Sequence, residues 1–211
     1  MTSKIHGENV ERRFAVGAEL VKGGVHFRIW APEHTKVAVV IEGGAEIPLR
    51  SEGAGYFAGL AAKAGVGSLY RVRLGDRTEL YADPASRFQP EGPHGPSQVV
   101  DPDSFAWSHP WRGAGEKGQI IYELHVGTFT QEGTWASAMR ELPHLATLGV
   151  TLLEVMPVHE FPGTFGWGYD GVNLFAPTRL YGTPDDFRAF VDEAHRLGLG
   201  VILDVVYNHL G

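Results

Sequence analysis

The sequence predicts a chain in two parts, an all-β part followed by an α/β part built on a parallel sheet. Residues 14–81 alternate short strand-like runs with glycine-containing turns. Residues 119–211 instead follow the order strand, helix, strand, helix, strand, which is typical of parallel β/α units. The last predicted strand, residues 201–206, is a near-continuous apolar run, as expected for a strand covered on both faces.

Composition is that of a globular protein and excludes several kinds of site. The 211 residues are 43% hydrophobic and 20% charged. A formal net charge of −7 and the lack of a basic run argue against a nucleic-acid partner. The absence of cysteine excludes disulfides, thiol nucleophiles and Cys-ligated metals. The first residues lack the apolar core of a signal peptide and no stretch is long enough to span a membrane, so we expect a cytoplasmic protein without a membrane partner.

Residues 1–82 are predicted to form a β-sandwich. Strand-like runs occur at 24–30, 36–41 and 69–74, with hairpin signals at 22–24 and 42–44. Such an immunoglobulin-like sandwich before an α/β part resembles a carbohydrate-binding module. Trp30 and Tyr56 are then either platforms for sugar stacking or packing residues, and large aromatic side chains are mostly buried. Residues 83–118 are predicted to be a linker, because six prolines and five glycines fall between residues 82 and 118.

Residues 119–211 contain three predicted strands, at 119–126, 150–158 and 201–206. A helix begins at the N-cap Thr134 and runs to about residue 148, and Pro143 inside it is expected to kink or split it. A second helix begins at Thr183, where a cap, a first-turn proline and two acidic residues follow one another. With right-handed crossovers, these elements predict the start of a (β/α)8 TIM barrel, truncated after its third strand, since such a barrel takes about 250 residues.

Polar side chains collect just after each predicted strand. Ligand sites of parallel α/β folds lie at this end of the strands. Aromatic rings combined with carboxylates and neutral hydrogen-bonding groups suit a sugar. The alternative is that Asp204 is a buried structural carboxylate and that Asn208 and His209 only form a turn. The residues concerned are His125, Glu154, His159, Glu160, Trp167, Tyr169, Asp170, Asp204, Asn208 and His209.

Several of these residues lie in motifs that resemble the α-amylase clan, glycoside hydrolase family 13. The run from Asp204 to His209, Asp-Val-Val-Tyr-Asn-His, matches the clan's first signature. Residues 154–157 and 160–162, Glu-Val-Met-Pro and Glu-Phe-Pro, resemble its second-strand motif. Within the clan, segments 87–99, 122–134 and 166–172 resemble the malto-oligosyltrehalose trehalohydrolase family, and the likeness runs from about Phe14 to the last residue.

The resemblance implies an enzyme that cleaves the α-1,4 bond next to the terminal trehalose of maltooligosyltrehalose and releases trehalose. It implies an α-glucan as the partner, no cofactor and no required metal, although Asn208 occupies a clan position that often binds calcium. Tyr169 would stack under the sugar at the cleavage subsite, His209 would hydrogen-bond its hydroxyls, and Asp170 would lie beside it. Trp167 and Asn208 complete the candidate substrate-binding residues, and Asp204 would orient an arginine on the fourth strand.

The resemblance also implies that the 211 residues contain no catalytic pair. Retaining glycosidases need a nucleophile and a general acid roughly 5 Å apart. The clan carries these on its fourth and fifth strands and a third carboxylate on its seventh. We therefore expect the N-terminal part of an enzyme, inactive alone. Glu154 is expected to be a buried, hydrogen-bonded carboxylate near the site, and His125 and His159 are expected to be hydrogen-bonded histidines.

Other members of the clan remain alternatives. Glycogen branching enzymes usually carry Gln after Trp-Gly-Tyr and lack Tyr-Asn before the histidine, so Asp170, Tyr207 and Asn208 speak against them. Debranching enzymes usually have Pro where this chain has Gly171. A non-catalytic α-glucan-binding protein is a further alternative.

A metal-dependent hydrolase would use His125, His159, Asp170 and His209, whose spacings match no zinc motif. A purely structural role leaves the polar cluster at the strand ends unexplained.

Overall fold

A computed structural model describes residues 11–211, and the chain divides into two compact units. The first unit comprises the residues up to Asp101 together with residues 173–176, and the second comprises residues 102–172 and 177–211. Each unit has a hydrophobic core of its own. Within the described residues, no helix is both long enough and apolar enough to cross a membrane.

The first unit is built on an antiparallel sheet of eight strands within residues 11–101. The order of the strands in space is β1-β2-β5-β4-β3-β6-β7, and β8 pairs with β6. The strands are β1 (Gly17–Val21), β2 (Gly24–Trp30), β3 (Val37–Ile41), β4 (Glu46–Gly53), β5 (Tyr56–Ala61), β6 (Leu69–Leu74), β7 (Leu80–Tyr81) and β8 (Ser97–Gln98). The predicted strands and both predicted hairpins are present.

This sheet curls over its own core. Strand β4 pairs with β3 through residues 46–49 and with β5 through residues 50–53, so the sheet is continuous through β4. Strands β5, β4 and β3 separate β2 from β6 in the strand order. The ring of Phe27 on β2 nevertheless packs edge-to-face on Tyr70 of β6, with centroids 4.8 Å apart. Strands that are distant in the sheet therefore face each other across one core.

The two aromatic residues singled out on this unit have different surroundings. Trp30 is 59% exposed. Tyr56, its cross-strand partner, is half-buried, and the guanidinium of Arg28 lies 3.9 Å from the centre of its ring. Arg28 is held in turn by an ion pair with Glu52. Only Trp30 therefore presents a large free aromatic surface.

A buried polar network attaches residues 83–98 to the sheet. The Tyr70 hydroxyl donates to Asp83 Oδ2 at 2.8 Å, and the Ser97 hydroxyl donates to the side-chain oxygen of Gln89 at 2.6 Å. The backbone N–H of Asp83 donates to Ser97 Oγ at 3.0 Å. Burial raises the pKa of Asp83, against the opposing effect of its hydrogen bonds. The first residues of the segment predicted as a linker thus supply strand β8 and lie in the first unit.

The second unit is built on a parallel sheet of three strands in the order β13-β10-β9. The predicted succession of strand, helix, strand, helix and strand is present. The elements from residue 119 onward are β9 (Ile121–Leu124), α1 (Val126–Phe129), α2 (Trp135–Thr147), β10 (Leu152–Val155), β11 (His159–Glu160), β12 (Asn173–Pro177), a 3-10 turn (Arg179–Tyr181), α3 (Pro184–Arg196) and β13 (Gly200–Leu203). Most of β12 belongs to the first unit.

Helices α2 and α3 pack on one face of this sheet. Trp135 is fully buried and stacks on Phe187, with ring centroids 4.2 Å apart. Leu153 and Val155 of β10 are fully buried on the helix side. The opposite face includes Glu154, which is aligned with Glu123 on β9 and Ile202 on β13, and all three are at least partly exposed.

Both helices begin as the sequence predicts, each with a capping box, formed by Thr134 with Ser137 and by Thr183 with Asp186. Helix α2 runs unbroken through Pro143, so the proline does not split it. A proline removes one backbone donor, and this one lies on the exposed side of the helix.

The predicted strands are longer than the observed ones. The third ends at Leu203 instead of residue 206, because its neighbour β10 ends at Val155 and Pro157 has no N–H to extend the ladder.

We predict that Tyr70→Phe lowers the free energy of unfolding of the first unit by about 1–3 kcal/mol, because it leaves a buried carboxylate oxygen of Asp83 without its donor. Tyr81→Phe, on the neighbouring strand, removes a hydroxyl that is bonded only to exposed Arg77 and should change stability by less than about 0.5 kcal/mol. Urea unfolding of both variants tests this, and equal effects would contradict it.

Candidate functional site

The parallel ladder fixes which residues meet at the carboxyl edge of the second unit's sheet. Val155 is aligned with Leu124 on one side and Leu203 on the other. The ladder continues one residue further, since Met156 N–H donates to the Leu124 carbonyl at 3.0 Å and Asp204 N–H to the Val155 carbonyl at 2.9 Å. His125, Met156 and Asp204 therefore follow the three strands at the same level.

The side chain of Glu160 binds both ends of the chain segment that leaves the carboxyl edge of the sheet after Glu160 and returns at residue 179. Its side chain is fully buried and forms an ion pair with the guanidinium of Arg179. Oε2 also accepts from the backbone N–H of Arg179 at 2.8 Å, and Oε1 accepts from Phe161 N–H at 3.2 Å. Burial raises the pKa of Glu160, and the contacts with Arg179 act in the opposite direction. One carboxylate thus holds both ends of the segment that carries Trp167, Tyr169 and Asp170.

A first cavity, called here the Tyr169 cavity, lies beyond the end of β13. It has a volume of 580 Å³ and is lined by Tyr169 and by residues 204–209. The Nε2 of His209 lies 2.7 Å from the Tyr169 carbonyl oxygen, and Nδ1 lies 2.8 Å from Asn208 Oδ1. A carbonyl oxygen only accepts, so Nε2 donates this bond. The structure thus brings together four of the predicted residues, Tyr169, Asp204, Asn208 and His209.

Two glycines let the 166–171 loop lie directly on the strand ends. Gly168 has φ +95°, and a Cβ there would lie 2.4 Å from the Pro157 carbonyl oxygen. A Cβ on Gly171 would lie 2.4 Å from the Cβ of His159. A side chain at either position would push the loop away from the sheet edge, and Gly168 also needs the left-handed backbone region that glycine tolerates.

A second cavity, called here the His125 cavity, lies beyond the ends of β9 and β10. It has a volume of 360 Å³. Trp167 lines this cavity and is absent from the lining of the Tyr169 cavity, so the loop presents its two aromatic residues to different cavities. The lining consists of His125, Gly127, Thr128, Met156, Phe161, Thr164, Phe165, Gly166, Trp167 and Tyr181.

His125 is hydrogen-bonded at both ring nitrogens. Nε2 lies 2.9 Å from the Gly166 carbonyl oxygen and 3.2 Å from the Tyr181 hydroxyl, and Nδ1 lies 3.3 Å from the Thr128 hydroxyl. Burial raises the pKa of Tyr181 to about 12, so its phenol is protonated at neutral pH. His125 thus joins the loop to the first strand, in accordance with its expected structural role.

The remaining predicted residues are placed differently. Asp170 is exposed, and its carboxylate forms no hydrogen bond or ion pair with the described residues. Glu154 is half-buried, not buried as expected, because it lies on the open face of the sheet. Nothing in the sequence analysis pointed to Phe165, Tyr181 or Arg179, and the acidic Glu160 next to an apolar strand was the one available signal for the ion pair.

His159 departs from the expectation of a hydrogen-bonded histidine. It is 6% exposed, its Nδ1 has no partner among the described residues, and its ring lies 6.1 Å from that of Tyr207. Burial lowers the pKa of His159. Within residues 11–211, no group of three or more His, Asp or Glu residues is arranged to hold a metal ion.

Comparison with known proteins gives the same family from several sources. The family model described as alpha amylase, catalytic domain, matches residues 99–211. A malto-oligosyltrehalose trehalohydrolase from Saccharolobus solfataricus is 46% identical over 196 residues, covering 92% of this chain and 35% of that protein. The protein of the same name from Deinococcus radiodurans is 46% identical over 203 residues, covering 94% of this chain and 33% of that protein.

A crystal structure agrees with these matches. A Salmonella typhimurium protein assigned as an alpha amylase has a TM-score of 0.89 and 47% identity, covering 93% of this chain and 34% of that one. The chain spans about a third of the length of these relatives.

We predict that Glu160→Gln destabilises the second unit by about 3–5 kcal/mol, because it leaves Arg179 without its buried counter-charge. Hydrogen exchange at residues 166–171 should accelerate at the same time. Glu132→Gln removes the acid of an exposed pair with Arg140 and should cost less than about 1 kcal/mol. Unchanged exchange in the loop of Glu160→Gln would contradict the role given to this carboxylate.

We predict a pH dependence of stability from His159. Its pKa is lower in the folded chain than in the unfolded one, so the stability it contributes is present above the unfolded value of about 6.5 and is lost as the pH falls through the folded value. His159→Gln should therefore flatten the fall in unfolding free energy between about pH 7 and pH 5. A profile of His159→Gln identical to that of the wild type would refute the prediction.

Proposed function

This chain belongs to the α-amylase family of glycoside hydrolases, and on that premise we propose that it forms the substrate-binding part of a trehalose-releasing enzyme. The reaction would be hydrolysis of the α-1,4 bond next to the terminal trehalose of maltooligosyltrehalose. The observation that carries the proposal is the Tyr169 cavity, in which an aromatic ring, a carboxylate, a side-chain amide and an imidazole meet at the carboxyl edge of a parallel sheet. The names of the relatives at 46% identity give the substrate class.

The family also supports a finer description of the fold. We propose that the curled sheet of the first unit is a β-sandwich of the carbohydrate-binding type and that β9, β10 and β13 are the first three strands of a (β/α)8 barrel. The three strands are parallel neighbours in chain order, as in a barrel wall. Their face opposite the helices leaves Ile121 53% exposed and Ile202 37% exposed, and this is the face that a closed barrel would turn inward.

The residues in hand would bind and orient the glucan. The Tyr169 ring, 38% exposed, offers a stacking surface for one face of a glucosyl ring. The carboxylate of Asp170, which is free of bonds to the described residues, can accept hydrogen bonds from sugar hydroxyls. The side-chain amide of Asn208 can both accept and donate hydrogen bonds. His209 would exchange one of its present bonds, to Asn208 or to the Tyr169 carbonyl, for a sugar hydroxyl.

The bond-breaking step needs a carboxylate nucleophile and a carboxylic acid on opposite sides of the reacting bond. The family resemblance assigns neither role to a residue of this chain. We therefore propose that residues 1–211 position the sugar at the cleavage point and that the two catalytic carboxylates lie outside them. Glu154 and Asp204, at or beside the sheet edge, would act as positioning residues.

We predict that the 211-residue chain binds maltotriosyltrehalose more tightly than maltopentaose, which has the same number of glucose units but no trehalose end. Tyr169→Ala and His209→Ala should each weaken binding about tenfold, the loss expected for about 1.4 kcal/mol of stacking or hydrogen bonding. Isothermal titration calorimetry measures the affinities.

Tyr81→Ala, at nearly the same exposure as Tyr169, and His144→Ala serve as matched controls and should bind as the wild type does. Failure of the wild-type chain to bind either oligosaccharide would overturn the proposed function. Equal affinity for the two oligosaccharides would remove the preference for a trehalose end.

A further inference from the structure

His159 is a buried histidine to which the proposed function gives no role. It lies on β11 and is 6% exposed, and its Nδ1 is buried without a hydrogen-bond partner among the described residues. Burial lowers the pKa of His159, and no neighbouring charge among the described residues adds to this effect or opposes it. A buried polar atom without a partner is uncommon in a folded protein and calls for an explanation.

The imidazole contacts both chain segments that line the Tyr169 cavity. A Cβ on Gly171, at the end of the 166–171 loop, would lie 2.4 Å from the Cβ of His159 and 3.3 Å from its Nδ1. The ring of Tyr207, which lines the cavity, has its centre 6.1 Å from the centre of the imidazole, within the range of aromatic contacts. His159 itself is absent from the lining, so it can act on a sugar only through these two neighbours.

The same two segments are bonded to each other next to His159. His209 Nε2 donates to the Tyr169 carbonyl at 2.7 Å, and Gly211 N–H donates to the Gly171 carbonyl at 3.0 Å. These two bonds are called here the seam, because they join the two segments. Gly171 takes part in the seam and lies against His159, so a change at the imidazole that displaces Gly171 also acts on the seam.

Only the neutral imidazole suits this position. A neutral ring can carry its hydrogen on Nε2 and leave Nδ1 as an acceptor without a donor. The protonated ring carries hydrogens on both nitrogens, so Nδ1–H would be buried with no acceptor among the described residues. Protonation therefore adds an unpaired donor and a buried charge, and the chain can relieve both by moving Gly171 or Tyr207 away and admitting water.

No titratable group on the neighbouring segments supplies a counter-charge. The carboxylate of Glu160, next in the chain, is bound to Arg179, and the carboxylate of Asp170 is exposed. Within the described part of the chain, no hydrogen bond or ion pair joins His159 to the other titratable residues of these segments, which are Tyr169, Asp204, Tyr207 and His209. A positive charge on His159 can therefore be stabilised only by water.

We infer that His159 is a positioning residue of the Tyr169 cavity, whose protonation displaces Gly171 and Tyr207 and so weakens the binding of α-glucan. The inference rests on the proposed function for the identity of the ligand. Because only the neutral form holds the cavity in place, the affinity should be constant above the ordinary histidine pKa of about 6.5 and should fall as the pH drops through the lower pKa of His159. Sugar binding thus depends on pH through a residue that does not touch the sugar.

The test measures the affinity of the full 211-residue chain for maltotriosyltrehalose by isothermal titration calorimetry at about pH 7.5 and about pH 5. The wild type should bind about tenfold more weakly at the lower pH, because little of its His159 is then neutral. The side chains introduced by His159→Gln and His159→Leu cannot be protonated, so these variants should lose less than about threefold. Near-ultraviolet circular dichroism of the same samples reports whether the chain stays folded.

Nuclear magnetic resonance spectra of the wild type give a readout that a merely structural residue would not move. The carbon-bound imidazole protons of His159, identified by their loss in His159→Gln, should titrate with the same midpoint as the affinity. The amide signal of Gly171 should follow this midpoint in the chain without sugar, since its backbone lies against the imidazole. A Gly171 signal that does not follow the titration would overturn the positioning role.

Two other histidines serve as controls. His94→Gln replaces an exposed side chain of the first unit and should bind as the wild type does at both pH values. His209→Gln removes a proposed sugar contact, so it should bind more weakly at both pH values but keep the wild-type ratio between them.

The outcomes separate the inference from the proposed function. If both His159 variants lose affinity at the lower pH as the wild type does, or if His209→Gln abolishes that loss, the inference is overturned and the proposed function stands. A wild-type chain whose circular dichroism signal disappears together with its affinity would be unfolding, which would also overturn the inference alone. A wild-type chain that binds no sugar at about pH 7.5 would overturn both.

Discussion

The buried carboxylate of Glu160 is the interaction on which the arrangement of the second unit's cavities depends. It neutralises Arg179, accepts the backbone N–H of that residue and accepts the N–H of Phe161 next to it. This side chain serves three donors at once, and it adds to the backbone bond from Thr178 N–H to the Val158 carbonyl that joins the same two ends of the segment. The base of the loop with Trp167 and Tyr169 is held in this way, and pre-organised residues bind a ligand at a lower entropic cost.

Strand register is the second constraint. In a parallel sheet the alignment of Leu124, Val155 and Leu203 forces the next residues onto one level, whatever their chemistry. The loop then closes over this level because Gly168 and Gly171 allow its backbone to touch Pro157 and His159. One loop borders both cavities, because Trp167 lines one of them and Tyr169, on the other side of Gly168, lines the other. The strands thus set the positions of the residues that follow them, and the two glycines allow the loop backbone to lie in close contact with the strand ends.

Sequence periodicity and capping chemistry were sufficient to predict the strands at residues 24–30, 36–41 and 69–74, the three parallel strands and the starts of α2 and α3, since these features depend on neighbours in the chain. The short strands β8, β11 and β12 were not predicted. The end of the third strand could not be predicted, because it depends on where β10 stops. The pairing of Glu160 with Arg179 joins residues 19 positions apart, and the one local signal, an acidic residue next to an apolar strand, does not identify the partner. Likewise, the sequence analysis placed Trp167 and Tyr169 in one site, whereas in the structure they line different cavities.

The strand order of the first unit has a consequence for how this unit folds. Strands β3, β4 and β5 pair with their chain neighbours through short turns, so this meander requires only local loop closure. Strand β2 pairs with β1 in a local hairpin and with β5 instead of β3, so this hairpin cannot join the sheet until the meander exists. Because loop-closure entropy must be overcome before such a non-local pairing is rewarded, we expect the docking of the β1–β2 hairpin to limit the folding rate. The same curl that brings Phe27 onto Tyr70 therefore makes the first unit a slow folder for its size.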